Sequence, residues 1–159
     1  MSVVSILILI LAANSAPVFI TRIIGSRWNY PVDGNMRLPD GFPLLGTSKT
    51  WRGVAGAVIA ATAVAPLIGY SIVIGAAVGA LAMLGDLLSS FCKRRMQMPS
   101  SAMAPMIDQV PESLIPALVL RNVFALNGVD IVIVVVAFIL LEVIFSVIFY
   151  RLGVRKHPY

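Results

Sequence analysis

The chain has 159 residues, 59% of them hydrophobic and only 12% charged. Soluble domains carry about a quarter charged residues, so this composition points to an integral membrane protein, and the length suits residues 1–159 as a single membrane-embedded domain. Cys92 is the one cysteine, which excludes an intrachain disulfide framework and a multi-cysteine metal site; the net charge of +5 gathers beside apolar segments and makes no case for a nucleic-acid partner.

A spanning helix needs roughly 20 mostly apolar residues. Residues 3–24 supply the first, VVSILILILAANSAPVFITRII, interrupted by Asn14, Ser15 and Pro17. It has no basic leader and no clear small-residue cleavage site, so it reads as a retained helix. A polar loop, 25–52, ends in the basic cluster Lys49, Thr50, Trp51 and Arg52. Residues 53–70 form a second span rich in Ala and Gly, and 71–92 a third that runs into Lys93, Arg94 and Arg95. The run GAAVG at 75–79 is a small-xxx-small pattern, which lets helix backbones approach closely in lipid. A second polar loop, 93–110, leads to a shorter fourth span, 111–127, opening on PESLIP. The fifth, 129–150, is dominated by Val, Ile and Phe and reads as lipid-facing. The expected fold is thus an all-α membrane bundle of about five transmembrane helices.

Five spans put both long loops and the C-terminal tail on one side. Arg22, Arg27, Arg37, Lys49, Arg52, Lys93, Arg94, Arg95, Arg151, Arg155 and Lys156 all fall there, leaving Arg121 inside a span. Positive residues favour the cytoplasm, so the N-terminus is expected outside and the two loops inside. The outer half is nearly bare of charge apart from Asp130 and Glu142.

A carboxylate near the middle of a spanning helix costs about 2.5–3.5 kcal/mol on insertion scales and marks function by default. Asp86 lies inside the third segment, on the order of 10 Å from its cytoplasmic end, and Ser90 and Lys93 follow it on the same helical face. The plain alternative is a structural ion pair with Lys93, Arg94 or Arg121. Asp108 and Glu112 flank Pro111, a good first helical residue, where acidic side chains also suit the positive helix end. Carboxylates without His or Cys partners suit a hard cation, Mg²⁺ above all, which takes one or two of them plus substrate phosphates. Lys49 and Arg52 at the start of the second span, beside Gly46, Thr47, Ser48 and Thr50, can receive phosphate at a helix N-terminus. The spacing is not that of a Walker A loop, since Thr47 follows Gly46 where Gly-Lys is required.

Four ordered blocks carry a family resemblance: NSAP at 14–17, DGNMRLPDGFPLLGTSKTWRG at 33–53, GDLLSSFCKRR at 85–95 and PMIDQVPE at 105–112. Together they resemble the CDP-archaeol synthases, CTP-dependent cytidylyltransferases related to phosphatidate cytidylyltransferase. The resemblance implies condensation of CTP with a membrane lipid phosphate, giving a CDP-lipid and pyrophosphate, on a site formed by the two cytoplasmic loops of a multi-pass cell-membrane protein. It implies catalytic roles for Asp86, Asp108 and Lys93. Substrate contacts would come from Asn14, Lys49, Thr50, Arg52, Gly53, Ser90, Arg94, Arg95 and Gln109, and Mg²⁺ ligands from Asp86, Asp108 and Glu112. The family's second acidic residue after Asp-Gln is replaced here by Pro111, with Glu112 one place on as its substitute. A homodimer is compatible with so small a bundle. The competing reading is a non-enzymatic transporter or assembly subunit with a buried ion-pair cluster; it requires polar groups along a path through the bilayer, whereas here they collect at one face.

Overall fold

The computed structural model describes residues 2–25, 27–99, 104 and 106–151; the tail cations Arg155 and Lys156 lie outside them. The chain is all-helical, with no strand among the described residues: α1 (Ser2–Ile24), α2 (Trp51–Val64) continued by a 3₁₀ turn (Ala65–Ile68), α3 (Ile72–Arg95), α4 (Gln109–Val119) and α5 (Gly128–Arg151). Four segments, Ser2–Ile24, Trp51–Ile68, Ile72–Arg95 and Gly128–Ile148, are long and apolar enough to cross a membrane. Their bounds lie within a few residues of the hydropathic segments.

The exception is the expected fourth span. It divides into the 11-residue α4 and a run of turns from Leu120 to Ala125. Eleven residues rise about 16 Å, roughly half the hydrocarbon thickness. The turns carry the chain the rest of the way, because Phe124 meets Tyr70, at the α2–α3 connection, with ring centroids 4.8 Å apart. Arg121 therefore lies beyond α4, exposed, rather than inside a span.

Local chemistry starts and stops the helices. Thr50 caps α2, its side chain accepting from Gly53 N; Ser71 caps α3 the same way through Ile74 N. Gly69, at φ 84°, makes the left-handed turn between α2 and α3. In lipid the helices gain little from burying apolar surface against one another, so close packing carries the association. At Gly79 an added Cβ would sit 2.8 Å from Val58 Cα, so α3 lies on the backbone of α2 only because the position is glycine. Ile6, Leu9 and Ile10 of α1, Val78 of α3 and Val134 and Phe138 of α5 are fully buried between the helices.

Loop 25–52 is folded back on itself by two isolated antiparallel bridges, Pro31 with Thr50 and Arg37 with Pro43. Val32 N donates to Lys49 O (2.8 Å) and Trp51 N to Tyr30 O (3.0 Å), so the end of the loop is held against its own beginning.

Candidate functional site

The site grows from one face of α3. Asp86 and Lys93 stand two turns apart there, and each is met by an opposite charge from another part of the chain. Lys49 Nζ donates to Asp86 Oδ1 at 2.5 Å. Lys93 Nζ stands 2.7 Å from Asp108 Oδ1. The ion pair foreseen for Asp86 as the plain alternative thus exists, but with Lys49 rather than Lys93, Arg94 or Arg121. Lys93 is only 6% exposed although it carries a charge, and a charge so placed needs a partner such as Asp108.

A third acidic group joins them. Glu112, in the first turn of α4, is buried and lies against Asp86. Asn14 Nδ2 donates to Glu112 Oε2 at 2.7 Å, fixing the carboxylate from the α1 side. This contact depends on Gly85: an added Cβ there would fall 2.4 Å from Pro111 O and 2.7 Å from Glu112 Cα. The absent side chain lets the start of α4 lie on α3 next to Asp86.

These groups border a cavity of about 250 Å³ bounded by α1, α3, the start of α4 and α5, with Asn14, Lys49, Asp86, Lys93, Asp108, Gln109 and Glu112 in its wall. A second cavity of about 480 Å³ lies towards α2, walled by Thr47, Ser48, Thr50, Arg52 and Gly53. Lys49 and Asp86 border both, so their ion pair stands between the two spaces.

Other expected contacts are placed differently. Arg52 spends its guanidinium on the end of α1, donating to Gly25 O and Arg27 O at 2.6 Å each. Arg95 borders neither cavity; it donates to Asp40 Oδ2 (2.5 Å) and Pro43 O (2.6 Å), clamping loop 25–52 to the end of α3. Ser90 and Arg94 are each 2% exposed and line neither cavity. Ser90 Oγ and Arg94 Nε have no hydrogen-bond partner among the described residues. Asp108 accepts from Ala104 N through Oδ2 but makes no side-chain cap to α4, so capping does not account for it.

Among the described residues no group of three His, Cys, Asp or Glu side chains stands ready to hold a metal; the expected triad of Asp86, Asp108 and Glu112 is not assembled as a cluster. The donor chemistry still fits a hard divalent cation. All three carboxylates face one cavity, the donors are oxygen only, and Mg²⁺ needs just one or two carboxylates when substrate phosphates complete its shell.

Sequence reasoning missed the contribution of α5. Glu142 and Ser146 line the carboxylate cavity, so Glu142 belongs to the end where Asp86 lies and not to the outer half, and one strip of α5 faces inward. The spacing of two polar residues at i and i+4 in an otherwise apolar helix was the available signal.

Residues 2–159 match the family described as CarS-like, CDP-archaeol synthase. A CDP-archaeol synthase of Hyperthermus butylicus is 40% identical over 108 residues, covering 63% of this chain and 60% of that protein. One from Thermofilum pendens is 32% identical over 130 residues, covering 78% and 63%. One from Pyrobaculum aerophilum is 32% identical over 156 residues, covering 92% and 91%. The chain thus spans less than two thirds of the first two relatives and nearly all of the third. A solved structure described as an intramembrane enzyme for archaeal membrane lipids biosynthesis superposes with a TM-score of 0.73 at 27% identity, covering 90% of this chain and 91% of that one. With four membrane-length helices and this neighbour, the chain is a multi-pass membrane protein. It belongs to the CarS-like CDP-archaeol synthase family.

Proposed function

We propose that this chain, acting as one unit over residues 1–159, transfers CMP from CTP to a membrane lipid phosphate. A lipid-phosphate oxygen attacks the α-phosphorus of CTP, the bond from that phosphorus to the bridging oxygen of the β-phosphate breaks, and pyrophosphate leaves with the electron pair. Such chemistry needs positioning and charge neutralisation more than covalent catalysis. The observation that carries the reading is the pair of lysine–carboxylate contacts, Lys49–Asp86 and Lys93–Asp108, opening on one cavity inside a membrane bundle.

Lys49 and Lys93 are the groups to hold phosphate oxygens, with Thr50 and Gly53 at the start of α2 behind Lys49 and Gln109 beside Asp108. Asp86 and Asp108 would hold Mg²⁺, with Glu112, steadied by Asn14, as a further oxygen donor. The ion supplies neutralisation of the triphosphate when bound. Arg94, buried with its Nε unspent, completes the cationic end of α3, and the buried Ser90 hydroxyl adds a neutral donor there. The acceptor is an isoprenoid ether lipid phosphate, as in the relatives' name, and the site faces the cytoplasm of a cell-membrane protein that can pair as a homodimer. A transporter would distribute polar groups across the bilayer, and here they gather at one end of the bundle.

The test is purified protein with labelled CTP, Mg²⁺ and a panel of ether and diacyl lipid phosphates. Stoichiometric pyrophosphate and CDP-lipid are expected with the ether acceptor. No CDP-lipid from any acceptor, in folded protein, would overturn the reading.

A further inference from the structure

Asp33 is a charged group that neither the ion pairs nor the cavities account for. It lies in loop 25–52, far in sequence from α3, yet is 9% exposed. Its carboxylate is saturated by backbone donors: Asn35 N to Oδ1 at 3.0 Å, Leu45 N to Oδ2 at 2.8 Å and Gly46 N to Oδ2 at 2.9 Å. The last two bonds cross twelve and thirteen residues, so they tie the beginning of the loop to the turn that precedes Lys49. That turn continues the chain of contacts, since Lys49 N donates to Gly46 O (3.2 Å) and Val32 N, next to Asp33, donates to Lys49 O (2.8 Å). Gly46 itself sits at φ 97°, a backbone state that only glycine adopts without strain. The Lys49 backbone is therefore held on both sides by residues that Asp33 anchors.

We propose that Asp33 is a positioning residue for the nucleotide site: its carboxylate fixes the Gly46–Lys49 turn and so aims the Lys49 ammonium at the boundary between the two cavities. Lys49 has four rotatable side-chain bonds, and only a fixed backbone can deliver its charge to one place. Burial by itself would raise the Asp33 pKa, but the N–H groups of Gly46, Leu45 and Asn35 prevail and hold it below the usual carboxylate value. The ionised form is thus the one the loop is built around. Carboxylates accepting several backbone N–H bonds behave in this way.

The inference rests on the cytidylyltransferase reading, and the experiment separates the two. CTP binding with Mg²⁺ is measured on full-length detergent-purified protein for wild type, Asp33→Asn, Lys49→Met and the double variant, with thermal melts in parallel. Asp33→Asn replaces one of the two acceptor oxygens with a donor, so either Asn35 N or the Leu45 and Gly46 N–H groups lose their acceptor, and CTP binding is expected to weaken about tenfold or more. The double variant should be no weaker than Lys49→Met alone, because Asp33 acts through that side chain. A lowered melting point with an unchanged CTP Kd makes Asp33 merely a structural clamp and overturns the proposal, as do additive losses in the double variant. Should Asp33→Asn not fold, Asp33→Glu, with its carboxylate one methylene out of register, takes its place with the same expected pattern. Wild-type protein that fails to bind CTP defeats the nucleotide reading and this inference with it; wild-type binding without the coupling defeats the inference alone.

Discussion

Lys49 and Lys93 each stand on a carboxylate, whereas Arg52 and Arg95 stand on loop backbone and, for Arg95, on Asp40. Each of the two basic clusters in the sequence thereby holds two kinds of residue. Removing a preorganised charge from a phosphate-transfer site costs on the order of 10²–10³ in kcat. Asp86→Asn and Asp108→Asn are each expected to lose CDP-lipid formation by that factor, read by pyrophosphate release, with the protein still monodisperse. Arg52→Gln should behave otherwise: losing charged hydrogen bonds to Gly25 O and Arg27 O lowers the melting point, while the residual CTP Kd stays within a few-fold of wild type. Asp33 gives a pH signature of its own. Its folded pKa lies below the unfolded value of about 3.9, so its stabilisation is complete above that value and is lost as pH falls through the folded pKa. The melting-point advantage of wild type over Asp33→Asn should be flat from pH 7 to 5 and shrink below about pH 4; an advantage that grows on acidification contradicts the assignment.

At the scale of elements, the contact between α3 and α4 sets the carboxylate geometry. The atoms that a Cβ at Gly85 would meet, Pro111 O, Pro111 C and Glu112 Cα, are backbone and cannot swing aside. Gly85→Ala must therefore move α4 away from α3 by an ångström or so, drawing Glu112 from Asp86 and Asn14. A displacement of about 1 Å costs roughly 10²-fold in rate where chemistry depends on positioning, and that loss is expected in pyrophosphate release with helical circular dichroism unchanged. The same contact explains what the sequence could and could not say. The long apolar runs of α1, α3 and α5 stand out by hydropathy, and Asp86 by its cost inside one of them. Residues 111–127 read as a shorter span, but turns from Leu120 to Ala125 end α4 early, and a hydropathy window does not register such turns. The partner of Asp86 was hidden for another reason: Lys49 is 37 residues away in sequence, and nothing local couples a loop lysine to a helix two elements on. Glu142 and Ser146 were passed over because the hydrophobicity of α5 as a whole masks a two-residue polar strip.

For the whole molecule, the contacts sort the helix ends into two groups. The end of α1, the starts of α2 and α4 and the end of α3 are joined through Arg52, Lys49 and Lys93, and α5 reaches the same region with Glu142 and Ser146. The opposite end carries Gly69, Tyr70, Phe124 and the start of α5, where Asn127 and Asp130 cap the helix through Asn127 Oδ1 and Asp130 Oδ2. The first group holds Arg22, Arg27, Arg37, Lys49, Arg52, Lys93 to Arg95 and, at the end of α5, Arg151; the second holds only Arg121 among the described cations. An excess of Lys and Arg of this size sets orientation during insertion, and the proposed substrate CTP is a cytosolic nucleotide, so the cavity end is expected to face the inside of the cell. In a Cys92→Ser background, single cysteines at Pro39 and Asn122, exposed positions at the two ends, should report this directly. A membrane-impermeant maleimide applied to intact cells is expected to label the Asn122→Cys protein and to reach Pro39→Cys only after permeabilisation. The reverse pattern would place the lysine–carboxylate pairs outside, away from the nucleotide, and the cytidylyltransferase reading would then lack its substrate.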